Sequence, residues 1–277
     1  MPTKFEHSPE FRKLLAGDPA ADLTLIALEI GRDADPTITL GDYVSKIDDL
    51  SERVRARCPA GCRTAHVLGQ INWVLFIEEG YTGNEDEYDD PRNSYLHEVM
   101  ERKTGIPISL CLLYRAVAER LGLEMDGVNL PAHFMLRIDG DFPIYVDAFH
   151  SGALLDPPGC ARQISRVVGK PVELSAFQLA PARPQSIVAR MLRNLKMQLL
   201  RRDDYAAARR VIERLVAIDR CNPIEQRDLG LVCVRTDRPG EAIRAFNAYL
   251  QAVPDADDAE EIRSLIGLSM REIARRN

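Results

Sequence analysis

The sequence predicts two domains, an α+β domain over residues 1–180 followed by an all-α repeat domain over residues 181–277. Three observations support this fold class. The chain has 277 residues, which suits two domains of ordinary size better than one. Helical patterns followed by short strand-like segments fill the first part, as in α+β domains. A repeat of helical segments, 34 residues long, follows in the second part.

The first eighty residues alternate helical patterns with breaks. The segment LGDYVSKIDDLSERVRARC places apolar side chains at spacings of three and four residues, on one face of a helix. These side chains are Tyr43, Val44, Ile47, Leu50 and Val54. Gly80 ends the fourth helical pattern, and an acidic loop leads to Asp90 and Pro91. Asp90 is suited to cap a helix whose first residue is Pro91.

Two helices and a set of strands complete the first domain. The helix from Pro91 is expected to end with Gly105 in the left-handed conformation, and the next helix to run from about Ser109 to Leu121. The segments EMDGVNLP, HFMLRID and FPIYVDAF then have strand character and are separated by Gly and Pro. Short, closely spaced strands of this kind predict an antiparallel sheet that ends near residue 180.

The C-terminal region carries an internal repeat. At an offset of 34 residues, YAAARRVIERLVAIDR aligns with PGEAIRAFNAYLQAVP, so that small and large apolar residues coincide. The aligned pairs are Ala208 with Ala242, Ile212 with Phe246, and Val216 with Leu250. This period, closed by Pro254, is typical of tetratricopeptide repeats, whose concave face binds peptides. Flanking helices are expected at 187–201 and 258–274, and a generic helical bundle is the alternative.

Composition narrows the possible partners and the compartment. A net charge of −6 and a pI near 5.5 argue against binding to nucleic acid or to an anionic membrane surface. The charged, proline-containing N-terminus does not resemble a signal peptide, and no apolar stretch approaches membrane-spanning length. The chain is therefore expected to be cytoplasmic, with its six cysteines reduced. The oligomeric state is left open.

Three residue types in order indicate a catalytic arrangement. Cysteine-dependent amide chemistry uses a thiolate at a helix N-terminus, an imidazole on a neighbouring strand, and a carboxylate that orients the imidazole. The chain offers Cys111 or Ser109 first, then His133, then Asp147. Ser109 and Cys111 lie about 160° apart on a helical wheel, so only one of them can face His133. The plain alternative for Cys111 is a small buried apolar residue.

These residues belong to motifs that resemble a known family. The segments DPRNSYLHEVMERKTGIPISLCLLYRAVAERLGL, GVNLPAHFMLRI and VDAFHSG, followed by tetratricopeptide-like helices, are similar to the bacterial SirB family over most of residues 20–270. The resemblance implies a transglutaminase-like (papain-like) N-terminal domain that is an altered member of the cysteine-triad superfamily.

The resemblance also bears on the nucleophile. Active transglutaminase-like domains place the cysteine about fifteen residues before the glycine that ends the helix. Ser109 precedes Gly122 by thirteen residues and Cys111 by eleven, so the nucleophile position maps nearer to a serine. A serine without a strong base is a weak nucleophile, and loss of cysteine chemistry is expected. Ala132 and Ala148 stand where the family usually has glycine and proline, while His133 and Asp147 remain in place.

Other candidate sites have plainer explanations. Cys58, Cys62 and His66 are spaced one helical turn apart, but no fourth zinc ligand is evident. The acidic loop 85–90 lacks the spacing and glycine of a calcium loop. Asn93 and His97 share a helical face and are candidates to line the cleft. The cysteine–histidine pattern and the acidic loop therefore predict no metal site. No phosphate-binding or dinucleotide-binding motif occurs, so no cofactor is predicted.

The sequence therefore predicts a protein-binding or peptide-binding regulatory protein, built on a transglutaminase-like scaffold that has lost cysteine catalysis. The rival hypothesis is an active cysteine-type amide hydrolase or acyltransferase that uses Cys111 or Ser109 with His133 and Asp147.

Overall fold

A computed structural model of the chain describes residues 5–276. It divides into two compact units, Met1–Met191 and Leu192–Asn277. The division falls inside one helix, eleven residues after the predicted boundary at residue 180. Among the residues described, no helix is both long and apolar enough to cross a membrane.

The first unit begins with helices, as the apolar periodicity predicts. They are α1 (Pro9–Ala16), α2 (Leu23–Ala34), α3 (Leu40–Arg55) and α4 (Thr64–Asn72), and α4 continues as a π-helical segment over Trp73–Glu78. After the acidic loop come a 3₁₀ turn (Pro91–Asn93), α5 (Leu96–Arg102) and α6 (Pro107–Arg120). Asp90 caps the 3₁₀ turn by accepting the Arg92 N–H.

This region differs from the sequence prediction in where its first helix begins and ends. The helix expected from Pro91 begins at Leu96, after the 3₁₀ turn. The left-handed residue after α5 is Lys103, with φ 58°, rather than Gly105. Gly105 instead belongs to a short parallel bridge between β1 (Thr82–Gly83) and β2 (Thr104–Gly105). A side chain at Gly105 would lie 2.8 Å from the Ser109 Oγ, so close packing rather than backbone conformation requires glycine there.

The helices surround α6, which is buried along most of its length and packs against β4 and the neighbouring helices. The sheet is antiparallel, with strand order β3 (Asp126–Leu130), β4 (His133–Ile138), β5 (Ile144–Asp147) and β6 (Ala153–Leu155). Helix α7 (Pro157–Val168) follows the sheet. Its Cys160 and Ile164 form an apolar cluster with Met135 of β4 and Tyr145 of β5.

The second unit is entirely helical over its described residues. Helix α8 (Pro184–Arg201) leads into α9 (Tyr205–Ile218), α10 (Pro223–Arg235), α11 (Pro239–Ala252) and α12 (Ala259–Arg276). The repeat residues Ala242 and Phe246 lie in the core of this unit with Ile262. A Cβ at Gly230 of α10 would lie 2.3 Å from the Phe246 ring, so this glycine lets α10 and α11 approach closely.

Candidate functional site

The candidate site is a cluster of His133, Asp147 and His150. The Asp147 Oδ2 lies 2.9 Å from the His133 Nε2 and 2.8 Å from the His150 Nδ1. His133 is 2% exposed and Asp147 is fully buried, whereas the His150 side chain is 36% exposed. The cluster therefore joins a buried aspartate and histidine to a second histidine that reaches solvent.

Strand register brings His133 and Asp147 together. Leu136 pairs with Val146 and Ile138 with Ile144, so residues of the same parity on β4 and β5 share a face. His133 and Asp147 are both odd-numbered, and they lie on the face whose Met135 and Tyr145 contact α7. The register, which the sequence did not specify, thus settles which side chains meet.

The two carboxylate oxygens of Asp147 make different contacts. Asp147 ends β5 and caps a 3₁₀ turn over Ala148–His150. Its Oδ1 accepts the backbone N–H groups of Phe149 at 3.2 Å and His150 at 3.3 Å. These bonds fix the carboxylate, so that Oδ2 is left facing both imidazoles. The same turn places His150 one helical turn after Asp147.

The segment after the cluster is held in a tight turn. Gly152 has φ +73°, and its carbonyl accepts a hydrogen bond of 2.8 Å from the Asn72 Nδ2. The Tyr114 hydroxyl on α6 in turn donates to the Asn72 Oδ1 at 2.9 Å. Asn72 and Tyr114 therefore fix the turn, and with it His150, to the helical part of the unit.

The contacts within the cluster stabilise a negatively charged Asp147 and a protonated His150. Burial raises the pKa of Asp147, but the contacts with His133 and His150 outweigh burial and lower it to about 2. The hydrogen bond from His150 to Asp147 is the main reason why the pKa of His150 is raised, against the opposing effect of burial. Asp147 is thus a carboxylate at neutral pH, and it stabilises a proton on His150.

Ser109 makes its hydrogen bonds away from the imidazoles. Its hydroxyl donates to the Asn93 carbonyl at 2.6 Å and accepts the Ile106 N–H at 3.1 Å, within the first turn of α6. Asn93 itself is fully buried, and its side chain donates to the Glu87 carbonyl at 2.7 Å. Both residues serve to fix the start of α6.

Cys111 precedes the cluster in the chain and is buried where α6 packs against β4. Its thiol is fully buried and lies 3.6 Å from the Phe134 carbonyl, to which it donates. Burial raises the pKa of the Cys111 thiol, and the negative charge of Asp147 raises it further. Both effects oppose the thiolate that nucleophilic chemistry requires.

The structure places His97 among other helices. A Cβ at Gly31 of α2 would lie 2.3 Å from the His97 Nδ1, and the His97 ring centroid lies 6.1 Å from that of Tyr43 on α3. Burial lowers the pKa of His97. These contacts do not join His97 to the histidine–aspartate cluster.

Sequence reasoning missed two members of the site, His150 and Gln163. His150 follows Asp147 by three residues, a spacing that brings the two side chains together when they share a 3₁₀ turn. The Gln163 Nε2, on α7, lies 3.1 Å from each ring nitrogen of His150. No local pattern in the sequence links α7 to this turn.

The turn directly before His133 contains a residue in the left-handed conformation. Pro131 and Ala132 form the two-residue connection between β3 and β4, and Ala132 has φ +53°. This conformation costs a non-glycine residue about 1–2 kcal/mol. Glycine would adopt it freely, whereas here alanine occupies it and His133 still reaches Asp147.

The chain matches two described families in the order that the fold shows. Residues 41–193 match the transglutaminase-like superfamily, and residues 195–267 match the tetratricopeptide repeat. The sequence expectations for the fold class and for the family are confirmed by these matches.

Individual relatives extend the comparison. A UPF0162 protein of Xylella fastidiosa (strain Temecula1 / ATCC 700964) is 33% identical over 261 residues, which cover 92% of this chain and 93% of the relative. F-box only protein 21 of Mus musculus is 35% identical over 140 residues, 47% of this chain and 21% of that protein. A crystal structure of menin aligns with 92% of this chain and 72% of its own, at 9% identity and a TM-score of 0.37, too low to support an argument.

Proposed function

The chain belongs to the transglutaminase-like superfamily and, within it, to the UPF0162 group of bacterial proteins, and on that premise we propose that it is a peptide-binding protein without cysteine catalysis. Its tetratricopeptide repeats support a role as a protein-interaction scaffold. In this proposal the repeat unit binds a segment of a partner protein, and the first unit is a scaffold that no longer turns over an amide. The cytoplasmic localisation stays a prediction.

One observation carries the proposal: the hydrogen bonds of both candidate nucleophiles go to backbone groups and not to an imidazole. The Ser109 hydroxyl is bonded to Asn93 and Ile106, and the Cys111 thiol is bonded to the Phe134 carbonyl. A working triad needs the nucleophile within hydrogen-bond reach of its base. The pKa of Cys111 is raised, whereas that of a reactive cysteine is lowered.

The repeat unit offers a surface suited to a peptide. A groove of about 230 Å³ lies between α10, the start of α11 and α12, and we call it the arginine groove. Its lining is Val234, Asp237, Arg238, Pro239, Leu268, Ser269, Arg271, Glu272 and Arg275. Val234 and Leu268 are exposed apolar side chains at 38% and 52%. The groove thus combines apolar contact area with three arginines and two carboxylates, and both carboxylates are paired with Arg276.

The charges of the groove indicate the class of peptide. Arg238 is paired with Glu241 at 2.9 Å, whereas Arg271 has no ion-pair partner among residues 5–276. A guanidinium without a partner beside exposed apolar residues suits a peptide with an acidic side chain next to an apolar one. We therefore expect acidic-apolar peptides to bind more tightly than basic ones.

A binding assay with matched variants tests this proposal. Fluorescein-labelled ten-residue peptides, one set acidic and apolar and one set basic and apolar, are titrated with the full chain and followed by anisotropy. Arg271→Glu is expected to weaken binding of the acidic set at least tenfold. Arg263→Glu, on α12 but outside the groove lining, is the control and is expected to leave binding unchanged.

Two results would overturn the proposal. If neither peptide set binds to the full chain, the repeat unit is not a binding site for peptides of this composition. Equal weakening by Arg271→Glu and Arg263→Glu would show a general charge effect instead of recognition in the groove.

A further inference from the structure

We propose that His133, Asp147 and His150 bind a divalent transition-metal ion of the zinc type. One ligand atom from each residue, an imidazole nitrogen or a carboxylate oxygen, lies within 4.8 Å of the others. Two imidazoles and one carboxylate form a donor set that suits zinc and neighbouring first-row ions. The inference concerns the first unit and is independent of peptide binding by the repeat unit.

The two separations from Asp147 are close to those of neighbouring ligands around one ion. Zinc binds nitrogen and oxygen at about 2.0–2.2 Å, so neighbouring ligands at angles of about 90–110° lie roughly 2.9–3.4 Å apart. The Asp147 Oδ2 is 2.9 Å from the His133 Nε2 and 2.8 Å from the His150 Nδ1. Small side-chain movements would open these contacts enough to admit an ion.

The orientation of His133 is a second, independent observation. Its Nε2 is close to the Asp147 Oδ2, yet the pair is not aligned as a hydrogen bond, and this nitrogen has no hydrogen-bond partner among the described residues. A buried ring nitrogen without an aligned hydrogen bond costs free energy, and native structures rarely leave one. A metal ion between the two atoms would use the nitrogen lone pair and remove that cost.

The surroundings support a bound ion. The Asp147 Oδ1 is held by two backbone N–H groups, so the carboxylate is oriented before an ion arrives. Gln163 lies against the ring of His150 and restrains it. Because the His150 side chain is 36% exposed, solvent can reach the ion and fill a fourth position. Three protein ligands with one open position are usual for an accessible zinc site.

Any metal-binding experiment must distinguish this site from the cysteine pair Cys58 and Cys62. Cys58 and Cys62 are close enough to affect each other, because burial and then the neighbouring Cys62 raise the pKa of Cys58. A thiolate pair of this kind can capture added zinc by itself. The test therefore needs a spectrum that distinguishes sulfur ligands from nitrogen and oxygen ligands.

Cobalt(II) titration of the full chain, stripped of metal with a chelating resin, provides that spectrum. We expect one equivalent of Co²⁺ to give visible ligand-field bands without the near-ultraviolet band of thiolate-to-cobalt charge transfer. Zn²⁺ is expected to displace the Co²⁺ and remove the bands. Cys58→Ser with Cys62→Ser is the matched control and is expected to leave the spectrum unchanged.

His150→Gln is the decisive variant because His150 lies at the surface end of the cluster and its loss is least disruptive to folding. We expect it to weaken Co²⁺ binding at least tenfold, since even an outer partner of a ligand typically contributes about 10–100-fold. His66→Gln, a histidine outside the cluster, is expected to bind as the unaltered chain does. Circular dichroism of each variant checks that the fold is retained.

The proposal is overturned by either of two results. If the unaltered chain does not bind Co²⁺ or Zn²⁺ stoichiometrically, the cluster is an ion-paired His–Asp–His group only. A thiolate band that the double serine variant abolishes, with unchanged affinity in His150→Gln, would assign the metal to the cysteines instead.

Discussion

The turn at Gly152 gives a quantitative test of how the cluster is positioned. Gly152 has φ +73°, and a Cβ added there would lie 2.0 Å from the Asn72 Oδ1. Gly152→Ala should therefore lower the unfolding free energy for two reasons. The left-handed backbone costs about 1–2 kcal/mol for alanine. Displacing Asn72 breaks its hydrogen bonds with Gly152 and Tyr114, each contributing about 0.5–1.5 kcal/mol.

The glycine at the end of α7 supplies the matched control. Gly169 has φ +71°, but a Cβ there would have no atom within 4 Å. Gly169→Ala should therefore cost only the backbone part, about 1–2 kcal/mol, whereas Gly152→Ala should cost about 2–5 kcal/mol. The difference isolates the contact with Asn72.

Urea denaturation followed by tryptophan fluorescence measures both variants. Trp73 is the single tryptophan of the chain and directly follows Asn72, so its signal reports unfolding of the first unit. Equal losses of unfolding free energy in Gly152→Ala and Gly169→Ala would refute the reasoning, because Asn72 would then contribute nothing to the turn.

Two further predictions concern other parts of the chain. Burial lowers the pKa of His97, so the unfolded state binds the proton more readily and the unfolding free energy should fall as the pH drops below about 6.5. Glu98, Asp35 and Glu101 face His97 and oppose this shift, and His97→Asn should flatten the pH dependence measured by urea denaturation between pH 7.5 and 5.5. Gly230→Ala should destabilise the repeat unit by about 1–3 kcal/mol because its Cβ would overlap the Phe246 ring, whereas Gly267→Ala, in an open helical position, should stabilise it by up to about 1 kcal/mol. Thermal unfolding followed by circular dichroism compares the two, and a stabilising Gly230→Ala would contradict the packing argument.

Much of the fold was predictable from local patterns. Apolar periodicity indicated α3, and the alignment of Ala208 with Ala242 and of Ile212 with Phe246 indicated the repeats. These signals depend on residues close in sequence or on a regular period. The same is true of Asp90, whose capping role follows from its position before Pro91.

The site was less predictable because long-range contacts determine it. The wheel argument separated Ser109 from Cys111, but only the fold shows Ser109 bonded to Asn93 and Cys111 bonded to the Phe134 carbonyl. Strand register decided that His133 and Asp147 share a face. His150 joined them through a 3₁₀ turn that the strand pattern before it does not specify.

The most direct test of the central claim, that the chain has no activated cysteine, is the pH dependence of iodoacetamide labelling of Cys111. Peptide mass spectrometry follows each thiol separately, and the exposed Cys221 serves as the internal reference. We predict that Cys111 labels at least 100-fold more slowly than Cys221 at pH 7. Its rate should still be rising at pH 9 and should be the same in His133→Ala and His133→Asn. Rapid labelling of Cys111 with a plateau below pH 7, lost in both His133 variants, would contradict the account and establish a working thiolate–imidazole pair.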